Sequence, residues 1–162
     1  LAFDGYEWAV CDDCTMTIEL ARRGDEAEVL ALVRKAYARY VSRIGKEPGP
    51  MLDDYGSRID QGAAWVLKHG DAVRGVLVLI DNPGYLLLDN VAVDPDCQGQ
   101  GLGRRLIEFA EAEAKRRGHP EIRLYTNEKM SENIALYRHL GFDETHRATE
   151  GGYARIFMRK SL

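Results

Sequence analysis

Between residues 85 and 118 the chain changes its hydrophobic period once, and the change falls on glycine. Residues 85–93, YLLLDNVAV, form an apolar run of strand length. From about 101 to 117 a helix follows, with Leu102, Leu106, Phe109, Ala110 and Ala114 on one face. The joint between them, DPDCQGQGLG, sets Gly99, Gly101 and Gly103 at alternate positions. Glycine weakens a helix interior by ~0.5–1 kcal/mol relative to alanine, so this helix entrance wants backbone rather than side chains. A buried strand that turns directly into an amphipathic helix commits the chain to layers of helix on sheet.

The remaining elements fall around this unit. Residues 16–22 alternate like a strand. Asp25 can cap a helix whose apolar positions are Val29, Leu30, Val33, Ala36, Tyr37 and Tyr40. GKEPGP, residues 45–50, interrupts it, and a short second helix follows through Tyr55–Ile59. Strands are expected at 63–68 and 73–80 around the turn HGD, then at 85–93 and 122–126. Gly118 and Pro120 close the glycine-led helix, and Ser131 caps another that Gly141 stops. Two last strands, around 142–149 and 152–160, turn at Glu150–Gly151–Gly152. The expectation is a mixed α/β domain of about seven strands and four helices over residues 16–162.

Residues 1–15 are expected to be a tail outside that core, because Met16 directly precedes the first strand-like run. They carry Asp4, Glu7, Asp12 and Asp13 and lack the basic start of a secretory signal. With 162 residues the chain suits a single substantial core. A net charge of −4 excludes nucleic-acid binding through bulk positive charge. No window approaches the ~20 apolar residues of a membrane span. Cys11 and Cys14 have zinc spacing, but no second Cys or His pair matches it, so no metal is expected. Three cysteines without a disulfide pattern read as cytoplasmic.

The glycine joint is neither of two familiar phosphate loops. No lysine plus hydroxyl follows the glycines, as a Walker A loop needs. A dinucleotide fingerprint starting at Gly99 would need its third glycine where Arg104 stands. A plain turn needs one glycine rather than several. What remains is a nest of backbone N–H groups at a helix N-terminus, open to an anion for lack of Cβ atoms. Helix polarity adds ~0.3–1 kcal/mol in the anion's favour, and Arg104 could add a direct charge contact. The joint reads as a pyrophosphate cradle.

VAVDPDCQGQGLGRRLIEFAEAEAKRRG, followed by NEKMSENIALYRHLGF, resembles the two signature motifs of the GNAT superfamily, which transfers acyl groups from coenzyme A to amines. The order of elements from 16 to 160 matches that fold as well. The resemblance implies a central mixed, largely antiparallel sheet with helices on both faces, and acetyl-CoA as co-substrate. It implies that Gln98, Gly99, Gln100, Gly101, Leu102, Gly103 and Arg104 hold the pyrophosphate through their amides. Val91, Ala92 and Val93 would lie along the pantetheine arm, with backbone pairing from Val91 and Val93, and Asn133 would hydrogen-bond the cofactor.

Amide formation from a thioester needs a neutral amine, a polarised carbonyl and a proton for the departing thiolate. A tyrosine near ~10 can protonate a thiolate whose thiol titrates near ~8.5. Tyr137 stands where the family places such a general acid. The family resemblance assigns carbonyl polarisation to the amide of Val91 or its neighbours. For the base, Asp89 on the cofactor strand is the first candidate, with Glu128 or a chain of waters as alternatives. The acceptor side would be walled by the N-terminal helices and their loop. Tyr37, Tyr40 and Tyr55 could stack on a substrate there, and Glu47, Asp53 and Asp54 could attract a cation. The histidines, His69, His119, His139 and His146, are read as surface residues.

The resulting expectation is direct, sequential acetyl transfer to the primary amine of a small molecule. A protein lysine or N-terminal amine is the alternative acceptor, and a non-catalytic acyl-CoA sensor is a rival of another class. Cys97 lies by the pyrophosphate rather than the acetyl end, which argues against a covalent cysteine route. A homodimer is left open, and neither nucleic acid nor membrane is expected as a partner.

Overall fold

The computed structural model describes residues 16–162; the expected tail, with Cys11 and Cys14, lies outside the described residues. Seven strands and four α-helices follow one another in the order β1 (Met16–Leu20), α1 (Glu26–Ile44), α2 (Tyr55–Asp60), β2 (Ala64–His69), β3 (Ala72–Asn82), β4 (Tyr85–Val93), α3 (Leu102–Arg116), β5 (Glu121–Asn127), α4 (Ser131–His139), β6 (Asp143–Glu150) and β7 (Tyr153–Ser161). The strands form one sheet in the order β1-β2-β3-β4-β5-β7-β6. Only β4 and β5 are parallel neighbours; the other pairs are antiparallel. Among the described residues no helix is long and apolar enough to cross a membrane.

Two helices cover each face. On β3 the valines and leucines alternate: Val76 and Val78 face α1 and α2, while Leu77 and Leu79 face α3. Val29, Leu32, Val33, Tyr37 and Tyr40 form the buried stripe of α1. Leu30 and Ala36, expected on that stripe, only flank it, and Leu32 is buried in it instead. Across the sheet Leu106, Ile107, Ala110 and Ala114 of α3 are fully buried. Each such leucine or isoleucine contributes about 1.5–3 kcal/mol. Gly75 is required by this packing, since a Cβ there would stand 2.9 Å from Leu106 Cδ1 and 3.3 Å from Leu67 Cβ.

Two expected caps work differently. Asp25 does not close the first turn of α1; its carboxylate reaches back to accept from Arg22 N at 2.8 Å and pairs with Lys68 at 2.9 Å. It is the last residue of a 3-10 turn over residues 23–25 that leads into the helix. Ser131 is the first residue of α4 rather than its cap. The turn before α4 is made by Asn127, whose side chain accepts from Lys129 N at 2.9 Å.

One irregularity shapes the site. On β3 and β4 Val78 opposes Asn90 while Leu79 opposes Leu88, so Asp89 is an extra residue on β4. An inserted residue reverses the alternation of the strand. Leu86 and Leu88 accordingly pack with α3, whereas Ala92 packs with α1. Beyond Leu88, β4 also loses its other neighbour. The β4–β5 pairing covers only Leu86↔Ile122 to Leu88↔Leu124, after which β5 continues against β7 alone.

Candidate active site

Where β4 and β5 part, a wedge opens between them. At one end lies a cavity of about 310 Å³, floored by Asp89, Asn90 and Val91 of β4 and Tyr125 of β5, with Asn133 and Tyr137 of α4 on its wall. At the other end lies the glycine joint. Between them Val91, Ala92 and Val93 are paired to β3 only, leaving one backbone edge of β4 open. An extended ligand can hydrogen-bond to such an edge as a further strand would.

The glycines of the joint serve two purposes. Gly99 and Gly101 have φ of 82° and 76°, the left-handed region that glycine enters without a steric penalty, and Gly101 caps α3. A Cβ on either would meet nothing within 4 Å, so their role is the conformation of the turn. Gly103 has ordinary helical backbone; its Cβ would touch Val93 Cγ2 at 3.8 Å and Leu136 Cδ2 at 4.0 Å, in the crease between β4 and α4. Gln98, Gly99, Gln100 and Gly101 are exposed, while Leu102 anchors the turn in the core. The first N–H groups of α3 lack helical acceptors. Arg104 does not lean over this turn: its guanidinium pairs along the helix with Glu108 at 2.8 Å.

Asp94 fixes the strand-to-joint turn, and nothing in the sequence singled it out. It is buried, accepts from Asp96 N at 3.0 Å, and pairs with Lys35 of α1 at 2.9 Å and Arg74 of β3 at 3.1 Å. Burial pushes its carboxyl up, but the hydrogen bonds from Lys35, Asp96 N and Arg74 outweigh that and hold it below its ordinary value. Cys97 sits in the same turn, a free thiol, half-buried.

Tyr137 is buried on α4 and borders the cavity. Its ring meets Phe142 edge-on at 6.0 Å, and its hydroxyl has no protein hydrogen-bond partner among the described residues. Burial, with Tyr40 nearby, raises its pKa above the usual tyrosine value. It therefore holds its proton across the physiological range. Asn133, one turn earlier, borders the same cavity with Nδ2 3.7 Å from Met130 Sδ.

Asp89, the bulged residue, points into the cavity. Tyr125 donates to its Oδ1 at 2.9 Å, and Arg58 of α2 stands 3.7 Å from Oδ2. Arg58 is held in turn by Asp53 at 2.9 Å. The Tyr125 hydroxyl is pushed up to about 12 by burial first, then by the charge and hydrogen bond of Asp89. Glu128, the alternative base, is exposed and does not border the cavity.

The tyrosines expected on the acceptor side divide. Tyr37 borders the cavity, and its hydroxyl donates to Asn90 Oδ1 at 2.6 Å and lies 3.2 Å from Val91 O. Tyr40 and Tyr55 are core residues and do not border it. Tyr40 accepts from Arg39 at 2.7 Å under the C-terminal half of α1. Tyr55 donates to Pro50 O at 2.5 Å and accepts from Asn90 Nδ2 at 3.1 Å. Asn90 thus links α1, β4 and the 45–54 loop through two tyrosine hydroxyls. Of the expected acids only Asp53 borders the cavity; Asp54 caps α2 through Ser57 N at 3.0 Å, and Glu47 offers its backbone carbonyl to Tyr153. None of the four histidines borders it.

The far rim is tied together. Lys46 Nζ, from the loop after α1, lies 3.8 Å above the Tyr153 ring and reaches Gly151 O at 3.4 Å. Tyr153 donates to Glu47 O at 2.5 Å. Arg43 and Glu132 join α1 to α4 at 2.8 Å. Neither Tyr153 nor Arg155, which stacks 4.4 Å from the Tyr125 ring centre, was singled out in the sequence.

Comparison with known proteins identifies the domain and its fold. Residues 60–144 match the model of the acetyltransferase (GNAT) domain. The [ribosomal protein bS18]-alanine N-acetyltransferase of Escherichia coli (strain K12) is 47% identical over 57 residues, 35% of this chain and 38% of that protein. Mycothiol acetyltransferase of Thermobifida fusca (strain YX) is 37% identical over 90 residues, 56% of this chain and 27% of the relative. The matched stretch thus spans well under half of either curated relative. In overall fold the chain superposes on the Thermoplasma acidophilum PaiA N-acetyltransferase in complex with coenzyme A with a TM-score of 0.76 at 16% identity, covering 91% of this chain and 99% of that one. The E. coli ribosomal-protein-S18-alanine N-acetyltransferase gives 0.72 at 26% identity, covering 90% and 93%. With its wedge between β4 and β5, its glycine-led α3 and its matching domain model, the chain belongs to the GNAT acetyltransferase family.

Proposed function

We propose that this chain is an N-acetyltransferase that moves the acetyl group of acetyl-CoA directly to the primary amine of a small molecule. The observation that carries the reading is the wedge, with an open β4 edge running from the glycine-led start of α3 to a cavity that holds an unbonded tyrosine hydroxyl. When bound, acetyl-CoA supplies an acetyl thioester. The amides of residues 99–104 hold its pyrophosphate; Gln98, expected to join them, has its N–H directed to Pro95 O at 3.4 Å. The open edge at Val91 and Val93 holds the pantetheine arm. Asn133 adds a hydrogen bond from α4. Backbone N–H groups beside the Asp89 bulge polarise the carbonyl. Asp89, directly or through water, takes a proton from the amine, and Tyr137 gives one to the sulfur as the C–S bond breaks.

Acceptor size follows from the tied rim. The Lys46–Tyr153 and Arg43–Glu132 contacts join α1 and the loop after it to the β6–β7 hairpin and to α4 beside the cavity, and about 310 Å³ suits a metabolite. A protein N-terminal amine is the second reading, favoured by the 47% identity over 57 residues to an enzyme named for a ribosomal protein alanine.

The test supplies acetyl-labelled coenzyme A and the protein to a cell lysate separated into small molecules and proteins. Label in the small-molecule fraction, dependent on Tyr137, is the expected result. Label in protein would install the second reading. Label in neither fraction would overturn N-acetyl transfer.

A further inference from the structure

The charges around the cavity restrict the acceptor further, given that the amine is acetylated there as proposed above. Two carboxylates, Asp53 and Asp89, and two guanidinium groups, Arg58 and Arg155, border it. The lining is thus neutral in sum and carries both signs. The two arginines differ in what they have left to offer. Arg58 lies between Asp53 and Asp89, at 2.9 and 3.7 Å, so its charge is already answered. Arg155 gives one Nη1 bond, 2.9 Å, to Glu150, whose side chain is 52% exposed. Its Nε and Nη2 donors have no protein acceptor among the described residues. The Tyr125 and Tyr153 rings, 4.4 and 5.8 Å away, hold its plane in place. A fixed, partly desolvated guanidinium with free donors is a site for a planar anion.

Tyr125 sets the spacing. Its hydroxyl bonds to Asp89, and Arg155 lies on its ring. A negative and a positive group therefore stand at the two parts of one side chain, on the same wall. We infer that the acceptor is an amine carrying its own carboxylate, an amino acid in the broad sense, with the ammonium toward Asp89 and the carboxylate on Arg155. A polyamine fits poorly, because its second ammonium would meet Arg155. The reaction balances as ammonium plus thioester giving amide, thiol and one released proton. The C–N bond forms, the C–S bond breaks, and the product loses the positive charge that Asp89 faced, which favours its departure.

The experiment measures thiol release from acetyl-CoA with matched probes: α- and ω-amino acids, their carboxamides, and diamines of equal chain length. The expected result is a kcat/KM for at least one free acid about tenfold or more above its amide and diamine, as for a site that leaves a buried donor unpaired with the wrong ligand. Arg155→Met should bring that acid-to-amide ratio close to one, mainly through KM, with Arg155→Lys restoring part of it. Circular dichroism and acetyl-CoA binding establish that the variants fold, and the wild-type ratio stands as a test without them. Equal rates with acid and amide, or preference for a diamine, overturn the inference. So does a ratio that Arg155→Met leaves intact, or acetyl-CoA binding with no turnover of any probe. Failure of the underlying function is recognised separately, by the absence of transferred label from the whole lysate.

Discussion

At the scale of single residues, Tyr137 and Gly103 make opposite demands. Tyr137 offers a proton that burial keeps in place, since its pKa lies above the ordinary tyrosine value. A general acid works in its protonated form, so raising its pKa extends the active range upward. Turnover should therefore climb with pH as the amine is deprotonated, and Tyr137 should impose no fall below about pH 10. Tyr137→Phe should lower kcat by ~10²–10⁴ with acetyl-CoA affinity nearly unchanged and the acid limb where it was. Steady-state kinetics across pH, with calorimetric binding beside them, test this; unchanged turnover removes Tyr137 from the chemistry. Gly103 acts by what it lacks. An alanine Cβ would sit in ordinary contact with Val93 and Leu136, at 3.8 and 4.0 Å. Valine adds two methyl groups to that crease, and Gly103→Val should weaken acetyl-CoA binding on the order of tenfold, with Gly103→Ala close to wild type. Equal affinity in all three proteins would show that the crease is not part of the cradle.

Elements meet at Asp94, which joins α1 through Lys35, β3 through Arg74 and the glycine joint through Asp96 N. Its carboxyl is held below the ordinary value in the fold. A depressed carboxyl stabilises the fold at pH values above its unfolded pKa near ~3.9, and the contribution is lost as pH falls through the folded pKa. Asp94→Asn should cost about 1–3 kcal/mol at neutral pH, with the deficit shrinking below about pH 4. Urea unfolding of both proteins at neutral and acid pH measures it, and a deficit that does not change with pH would show that charge is not what Asp94 contributes. The order of elements was legible because each carries its period locally: LLLDNVAV reads as strand and LIEFAEAEA as helix without reference to anything else. The Asp89 bulge was not legible, because an extra residue exists only relative to β3. For the same reason nothing local marks Arg58 and Arg155 as residues of the site. Helix α2 and strand β7 bring them to the residue at 89 from 31 positions before and 66 after. Tyr40 and Tyr55 were indistinguishable in sequence from Tyr37, since whether a tyrosine faces a cavity or the core depends on which neighbours it meets.

For the whole molecule, the cavity is bordered by segments far apart in the chain, the loop after α1 and the β6–β7 hairpin. The tie consists of a Lys46–Tyr153 ring contact, the Lys46–Gly151 O contact and the Tyr153–Glu47 O hydrogen bond. An exposed cation–π contact contributes ~0.5–1 kcal/mol and a hydrogen bond ~0.5–1.5 kcal/mol. Removing both shifts the balance between tied and untied rims by about 1–2 kcal/mol, a factor of roughly 5–30. The double variant Lys46→Ala/Tyr153→Phe should thus raise kcat/KM for amines too large for the cavity by several-fold and raise KM for small ones. The cradle lies at the other end of β4, so KM for acetyl-CoA should not move. An amine size series assayed at saturating acetyl-CoA separates the two effects. If the double variant keeps the wild-type size profile, the rim does not select the acceptor, and the small-molecule reading loses its main geometric support. If acetyl-CoA KM rises along with the acceptor's, the two ends of the wedge are coupled through β4, and the tie contributes to the shape of the whole sheet.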